Sequence, residues 1–189
     1  MSQLRVIDKP EKGSFLVAEP MLGDPNFDRS VILLTEHNDK GSVGFVLNRP
    51  LELKLEDIVI DFPFLDTQIY HGGPVQQDNL YFVHNKGNLI PGSEHIRDDL
   101  YWGGDLKPMK ELIETGLVTE QNIRFFLGYS GWGTGQLQDE LSEKSWLVLD
   151  DAPVNLFQDN AVETWRQMLR NIGGDYPLWA NSPADPTLN

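Results

Sequence analysis

NIRFFLGYSGWGTGQLQDELSEK, residues 122–144, decides how this chain is read. An apolar run, Ile123 to Leu127, enters glycines at 128, 131, 133 and 135, and Gln136 to Lys144 follows with helical composition. The stretch predicts a strand, a tight corner and a helix. Such a corner has three readings: a nucleophile elbow, a phosphate cradle, or a turn where backbone passes too close for side chains.

The elbow needs G-x-S-x-G and, in an α/β-hydrolase, a histidine after the serine. Here Trp132 holds the fifth position, and His37, His71, His84 and His95 all precede Ser130. A P-loop needs a lysine, and none lies between Gly128 and Glu143. The dinucleotide spacing G-x-G-x-x-G is absent as well. The helix start near Gln136 still leaves N–H groups that could hold a weak anion. The simpler expectation is that Thr134 caps the helix and the glycines permit close backbone approach.

Upstream, SFLVA (14–18), SVILLTEH (30–37) and SVGFVLN (42–48) read as strands, the last two joined by an NDKG turn at 38–41. Gly44 inside a strand predicts a bulge or a close backbone. Leu51, Leu55 and Ile58 stand at helical spacing and predict a short helix near 54–60. TQIYHGG (67–73) and NLYFVHN (79–85) read as strands, and HIRDDLYWGGD (95–105) as one or two short ones. A helix is expected over 105–116, with Asp105 as cap and Gly116 as stop. SWLVLD (145–150) closes the strand set. In the helix expected at 160–174, Ala161, Trp165, Met168, Leu169 and Ile172 form one apolar stripe. Trp179 and Leu178 predict that the tail docks on the body.

Short connections favour antiparallel pairing, so the fold class is α+β. With 189 residues and no linker-like segment, one domain is expected, with 1–12 and 180–189 peripheral or flexible. There is no cysteine, which excludes disulfides, thiolate metal sites and a cysteine nucleophile. Neither a signal-peptide core nor a membrane-length apolar run is present, so a cytoplasmic protein with no membrane contact is expected. A net charge of −14 with scattered basic residues argues against direct nucleic-acid binding. No cofactor motif appears, and the histidines lack tight metal-ligand spacing. His84 shares a strand face with Leu80 and Phe82 and reads as a core or hydrogen-bonded histidine. His71, beside Gly72-Gly73-Pro74, is the more interesting one.

Three blocks, FLVAEPMLGDPNFDRSVILLTEHNDKGSVGFVLNRP, YHGGPVQQDNLYFVH and GYSGWGTGQLQDEL, together resemble the YqgE/AlgH family of bacterial proteins over roughly residues 13–172. The resemblance rests on the Asn48-Arg49-Pro50 corner, the Gly72-Gly73-Pro74-Val75 turn and the Gly-Trp-Gly-x-Gly-Gln-Leu run. It implies a mixed, mostly antiparallel sheet rolled into a partial barrel with flanking helices. It brings no activity, because the family has no agreed biochemical function. Ser130 stands where relatives often carry a smaller residue, which weakens any catalytic role for its hydroxyl. Some relatives carry a transcriptional-regulator label. The acidic balance and the lack of a helix-turn-helix give that label no support as direct DNA binding.

Two functional readings stay open. The first is a binding or regulatory module without catalytic machinery, serving a small molecule or a protein partner. Its surface would gather Arg29, Asn48, Arg49, Gly72, Gly73, Trp132 and Gln136, with Trp132 as apolar platform and Gln136 or Asn48 as orienting groups. The second is a small hydrolase or transferase with His71 or a carboxylate such as Glu140 as general base. Against both stands a plain structural role: Asn48 in an Asx-turn, and Arg29 or Arg49 paired with surplus acid.

Overall fold

The computed structural model describes residues 4–152, 155–158 and 161–183. Expectations for residues 1–3 and 184–189, and for a helix start at Asn160, lie outside the described residues. The strands are β1 (Phe15–Ala18), β2 (Val31–Asn38), β3 (Gly41–Val46), β4 (Pro50–Lys54), β5 (Gln68–His71), β6 (Val75–His84), β7 (Glu94–Arg97), β8 (Leu100–Trp102), β9 (Ile123–Gly133) and β10 (Trp146–Leu149). The helices are α1 (Leu106–Glu114), α2 (Gln136–Ser142), α3 (Thr164–Ile172) and α4 (Tyr176–Ala180).

β9 is the hub. Its first half pairs with β6 antiparallel and with β5 parallel; its second half pairs with β3 antiparallel. The sheet runs β10-β1-β2-β3-β9-β6-β8-β7, with β4 joined through β5. It is a mixed, mostly antiparallel sheet in an α+β fold, and it curls into a partial barrel. No ladder closes β7 onto β10. Arg97 of β7 nevertheless donates to the carbonyls of Gly13 and Asp150, which flank β1 and β10. The outer edge of β10 is met by the lead-in, where Val6 bridges Leu149 and Ile7 N–H donates to the Val148 carbonyl.

Strand alternation sorts the core. Phe15, Val17, Val31 and Leu33 face one apolar cluster, while Leu16, Ala18, Ile32 and Leu34 face another. That is the period-two geometry of a strand buried on both faces. α3 covers the first cluster with Trp165, Met168, Leu169 and Ile172, and α2 covers the second with Leu137. α1 lays Met109 and Ile113 on a third cluster built around Phe125 and Ile69. The stripe expected in α3 is buried as read, Ala161 included. Trp179 packs on the body, whereas Leu178 stands exposed.

Gly44 meets both of its expectations. A Cβ there would sit 2.7 Å from the Leu33 carbonyl oxygen of the neighbouring strand, and the β2–β3 register slips opposite it between Leu34 and Glu36. Asp105 caps α1, its carboxylate accepting from Lys107 N–H at 2.9 Å. Two expectations are corrected. The helix near 54–60 is one 3-10 turn at Leu55–Asp57, and the residues before it form β4. Leu51 and Leu55 fit both periods, and pairing of Pro50 with Tyr70 and of Lys54 with Gln68 decides for the strand. Thr134 does not cap α2. Gly135 occupies the cap position at φ 78°, and the Thr134 hydroxyl donates to the Lys40 carbonyl.

Candidate functional site

The NFDRS segment positions the site. Asp24 starts a compact turn: its side chain accepts from Asn26 N–H at 2.8 Å and its carbonyl from Phe27 and Asp28 N–H. The turn ends at Arg29, which has φ 52°, a left-handed conformation that costs a non-glycine residue about 1–3 kcal/mol. Asn48 holds it there. Its Oδ1 accepts from Val31 N–H at 2.8 Å and its Nδ2 donates to the Arg29 carbonyl at 2.8 Å. Asn48 is therefore a cross-strand clamp on the Arg29 backbone and makes no Asx-turn.

Around this clamp lies a cleft of about 230 Å³ lined by Asp28, Arg29, Asn48, Arg49, Val162, Trp165 and Arg166. Arg29 donates to the Ser182 carbonyl at 2.7 Å, and its guanidinium lies 5.1 Å from the Trp165 ring centre. Its Nε–H is buried and makes no hydrogen bond. Trp165 spends its own N–H on the Ala18 carbonyl at 2.8 Å. Arg49 donates to the Asp28 carbonyl at 2.9 Å. Burial lowers the pKa of Arg49, while Asp28 and Asp24 act to raise it; an arginine stays charged at neutral pH regardless. Arg166 meets Glu163 at 3.3 Å across a partly exposed surface, a weak pair.

The seven residues expected to form one surface divide. Arg29, Asn48 and Arg49 share the cleft. Gly72 and Gly73 lie in a backbone crossing one strand away, linked to it by His71 N–H donating to the Arg49 carbonyl at 2.8 Å. There a Cβ on Gly72 would strike the Gly128 carbonyl, and one on Gly73 the Tyr129 backbone. The Gly72 carbonyl accepts from Val46 N–H at 2.9 Å and from the Ser130 hydroxyl at 3.1 Å. Ser130 is thus a buried tie across the crossing.

Trp132 and Gln136 belong to another network. Trp132 is only 5% exposed, too enclosed to present a platform. Glu140 Oε2 accepts from Trp132 Nε1 at 2.8 Å and from Trp146 Nε1 at 2.7 Å. Its Oε1 accepts from Gln136 Nε2 at 3.1 Å, and Gln136 Oε1 accepts from Gly133 N–H at 3.0 Å. Among the described residues, the partners of the Glu140 carboxylate are the side chains of Trp132, Trp146 and Gln136, which tie β9, β10 and α2 together. His71 Nδ1 is buried and makes no hydrogen bond, so no carboxylate or hydroxyl among the described residues is bonded to that nitrogen. Among the described residues no group of His, Asp and Glu is placed to hold a metal ion, and no helix is long and apolar enough to cross a membrane.

Sequence reasoning missed Asp28, Arg166 and the floor residue Trp165. Trp165 read as core, which it is. Arg166 follows it directly on α3, and a cation bordering a buried stripe was the signal available.

The AlgH-like family model, DUF179, matches residues 15–177. A UPF0301 protein of Cytophaga hutchinsonii is 45% identical over 179 residues, 94% of this chain and 98% of the relative. One from Chlorobium limicola is 43% identical over 182 residues, 96% of this chain and 97% of the relative. The solution structure of the AlgH protein from Pseudomonas aeruginosa superposes with TM-score 0.72 at 31% identity, covering 91% of this chain and 94% of that one. Protein DIP2367 from Corynebacterium diphtheriae shares the fold, with TM-score 0.77 at 23% identity over 92% and 93% of the two chains. The Asn48-Arg49-Pro50 corner and the glycine crossing thus sit in a chain that belongs to the AlgH-like family.

Proposed function

We propose that the chain is a cytoplasmic, non-catalytic binding module whose ligand or partner presents a carboxylate or phosphate to the Arg29–Arg49–Arg166 cleft. The observation that supports this reading is that three arginines, Arg29, Arg49 and Arg166, line one cleft in a chain of net charge −14. Guanidinium forks suit planar carboxylate and phosphate oxygens, and the Asn48 clamp fixes the Arg29 backbone in advance. Among the described residues the lining contains no Ser, Thr, Cys, His or Lys, and Asp28 is its one carboxylate, which supports binding over catalysis.

The test is a titration of isotope-labelled protein with inorganic phosphate and with succinate, followed by amide chemical shifts at low salt. Shift changes should concentrate at residues 28–31, 48–49 and 164–166. Arg49→Met should weaken the response about tenfold or more while the rest of the spectrum stays native. A response spread evenly over the surface, or one that Arg49→Met leaves unchanged, sinks the reading.

A further inference from the structure

A second surface, remote in chemistry from the arginine cleft, lies where β4 ends. Leu55 and Leu65 are buried in the third cluster, and the Phe62 ring meets Phe125 edge-on at 6.4 Å. Between these pins Ile60 is 86% exposed and Phe64 74% exposed. Both line a cavity of about 330 Å³ together with Leu55, Val59 and Phe62. Other exposed apolar side chains, such as Met21, Leu89 and Leu117, stand on separate segments, whereas these two share one loop and one concavity.

The loop is braced in this form. Asp61 has φ 56°, and Lys110 Nζ donates to its carbonyl at 2.9 Å while standing 5.5 Å from the Phe62 ring centre. Strain held by dedicated contacts is a feature of binding loops. The charge around the apolar anchors is negative. Glu56 and Asp61 line the cavity, Asp57 lies in the same turn, and Asp66 follows Leu65. Of the nearby ammonium groups, Lys54 is bound to Asp66 at 2.8 Å and Lys110 is held by the Asp61 carbonyl.

We propose that this loop docks a basic amphipathic segment of a protein partner, with apolar side chains seated between Ile60 and Phe64 and Lys or Arg meeting Glu56, Asp57 and Asp61. The charge selects this occupant. A second copy docked by two-fold symmetry would bring the same carboxylates face to face, and an anionic lipid surface would be repelled. A basic amphipathic segment satisfies both the apolar anchors and the rim.

The test uses a short fluorescent peptide with leucines at helical spacing and lysine elsewhere, and a twin with every lysine replaced by glutamate. The lysine peptide should bind and the glutamate twin should not. The double variant Ile60→Ser, Phe64→Ser leaves the net charge at its native value and alters exposed side chains, so its fold, checked by circular dichroism, should persist. It should weaken lysine-peptide binding about tenfold or more. Arg49→Met should bind that peptide normally, which separates this surface from the anion cleft. Equal binding to the native chain and the double variant would reduce the effect to general attraction by an acidic protein and overturn the proposal. Absence of binding, equal binding of the twin, or a native dimer that the double variant makes monomeric would overturn it too.

Discussion

His84 spends both ring nitrogens inside the protein. Nδ1 accepts from Lys86 N–H at 3.1 Å, so Nε2 carries the proton and faces Ser93 Oγ at 2.9 Å and the Gly103 carbonyl at 3.1 Å. The ring is fully buried, and burial pushes its pKa below the ordinary 6.5, with the Gly103 bond pulling the other way. Well above pH 6.5 the imidazole is neutral in both folded and unfolded chains and contributes no pH dependence. Below it the unfolded chain takes up a proton that the folded chain resists, so stability falls as the pH drops. Urea midpoints at pH 7.5 and 5.5 should show this loss, with a slope of up to about 1.4 kcal/mol per pH unit from this group. His84→Gln should show a smaller loss over the same interval, whatever its stability at pH 7.5; an unchanged loss would remove His84 from the account. At this scale the sequence was readable where one residue's neighbours decide its fate. His84 lay on the Leu80–Phe82 face, and Asn48 and Arg49 closed a strand. Arg49 and Arg166 line one cleft from positions far apart in sequence, and no local pattern encodes that.

Elements were legible wherever one period dominated. β2 and β3 around their two-residue turn, the apolar stripe of α3 and the run into β9 all follow from spacing. β4 was not, because Pro50-Leu-Glu-Leu-Lys54 carries both periods and only its partner β5 breaks the tie. The cap of α2 was missed for a related reason. Gln136 reaches back to Gly133 N–H, which leaves Thr134 to bond the Lys40 carbonyl of the neighbouring hairpin. The glycine crossing is the element-scale feature with the sharpest consequence. Gly73 has φ 154° and Gly128 φ 70°, and a Cβ on Gly128 would stand 2.5 Å from the Gly73 carbonyl. Gly73→Ala forces a methyl group into the Tyr129 backbone and should destabilise the chain by about 3 kcal/mol or more, measured as a lower urea midpoint. Gly133→Ala is the matched control. A Cβ at Gly133 meets nothing within 4 Å, so it should change the midpoint far less. Equal effects from the two would show that chain flexibility, and not backbone crowding, is what these glycines supply.

For the whole molecule, the open question a strand order leaves is what holds a ten-stranded open sheet in its curl. The ends of the path, β10 and β7, exchange no ladder bonds. Their apolar faces do meet, since Ile96 of β7 is buried in the cluster that holds Phe15 and Leu149. The polar join is Arg97. One guanidinium nitrogen reaches the carbonyls of Gly13 and Asp150, on the lead-in to β1 and the exit from β10, while Nε pairs with Asp98 at 3.1 Å. Gly13 supplies the room: at φ 88°, a Cβ there would stand 3.0 Å from Arg97 Cβ. A charged donor to a carbonyl contributes about 1.5–3 kcal/mol, whereas the largely exposed Asp98 adds little. Arg97→Met keeps the stem and deletes the join, so it should lower unfolding stability by about 2 kcal/mol. The loss should be local first. Amide exchange in β7 and β8 should quicken well before that in β9, which is paired along both edges. An Arg97→Met chain with native exchange in β7 and β8 would mean that apolar contact through Ile96 alone sets the curl.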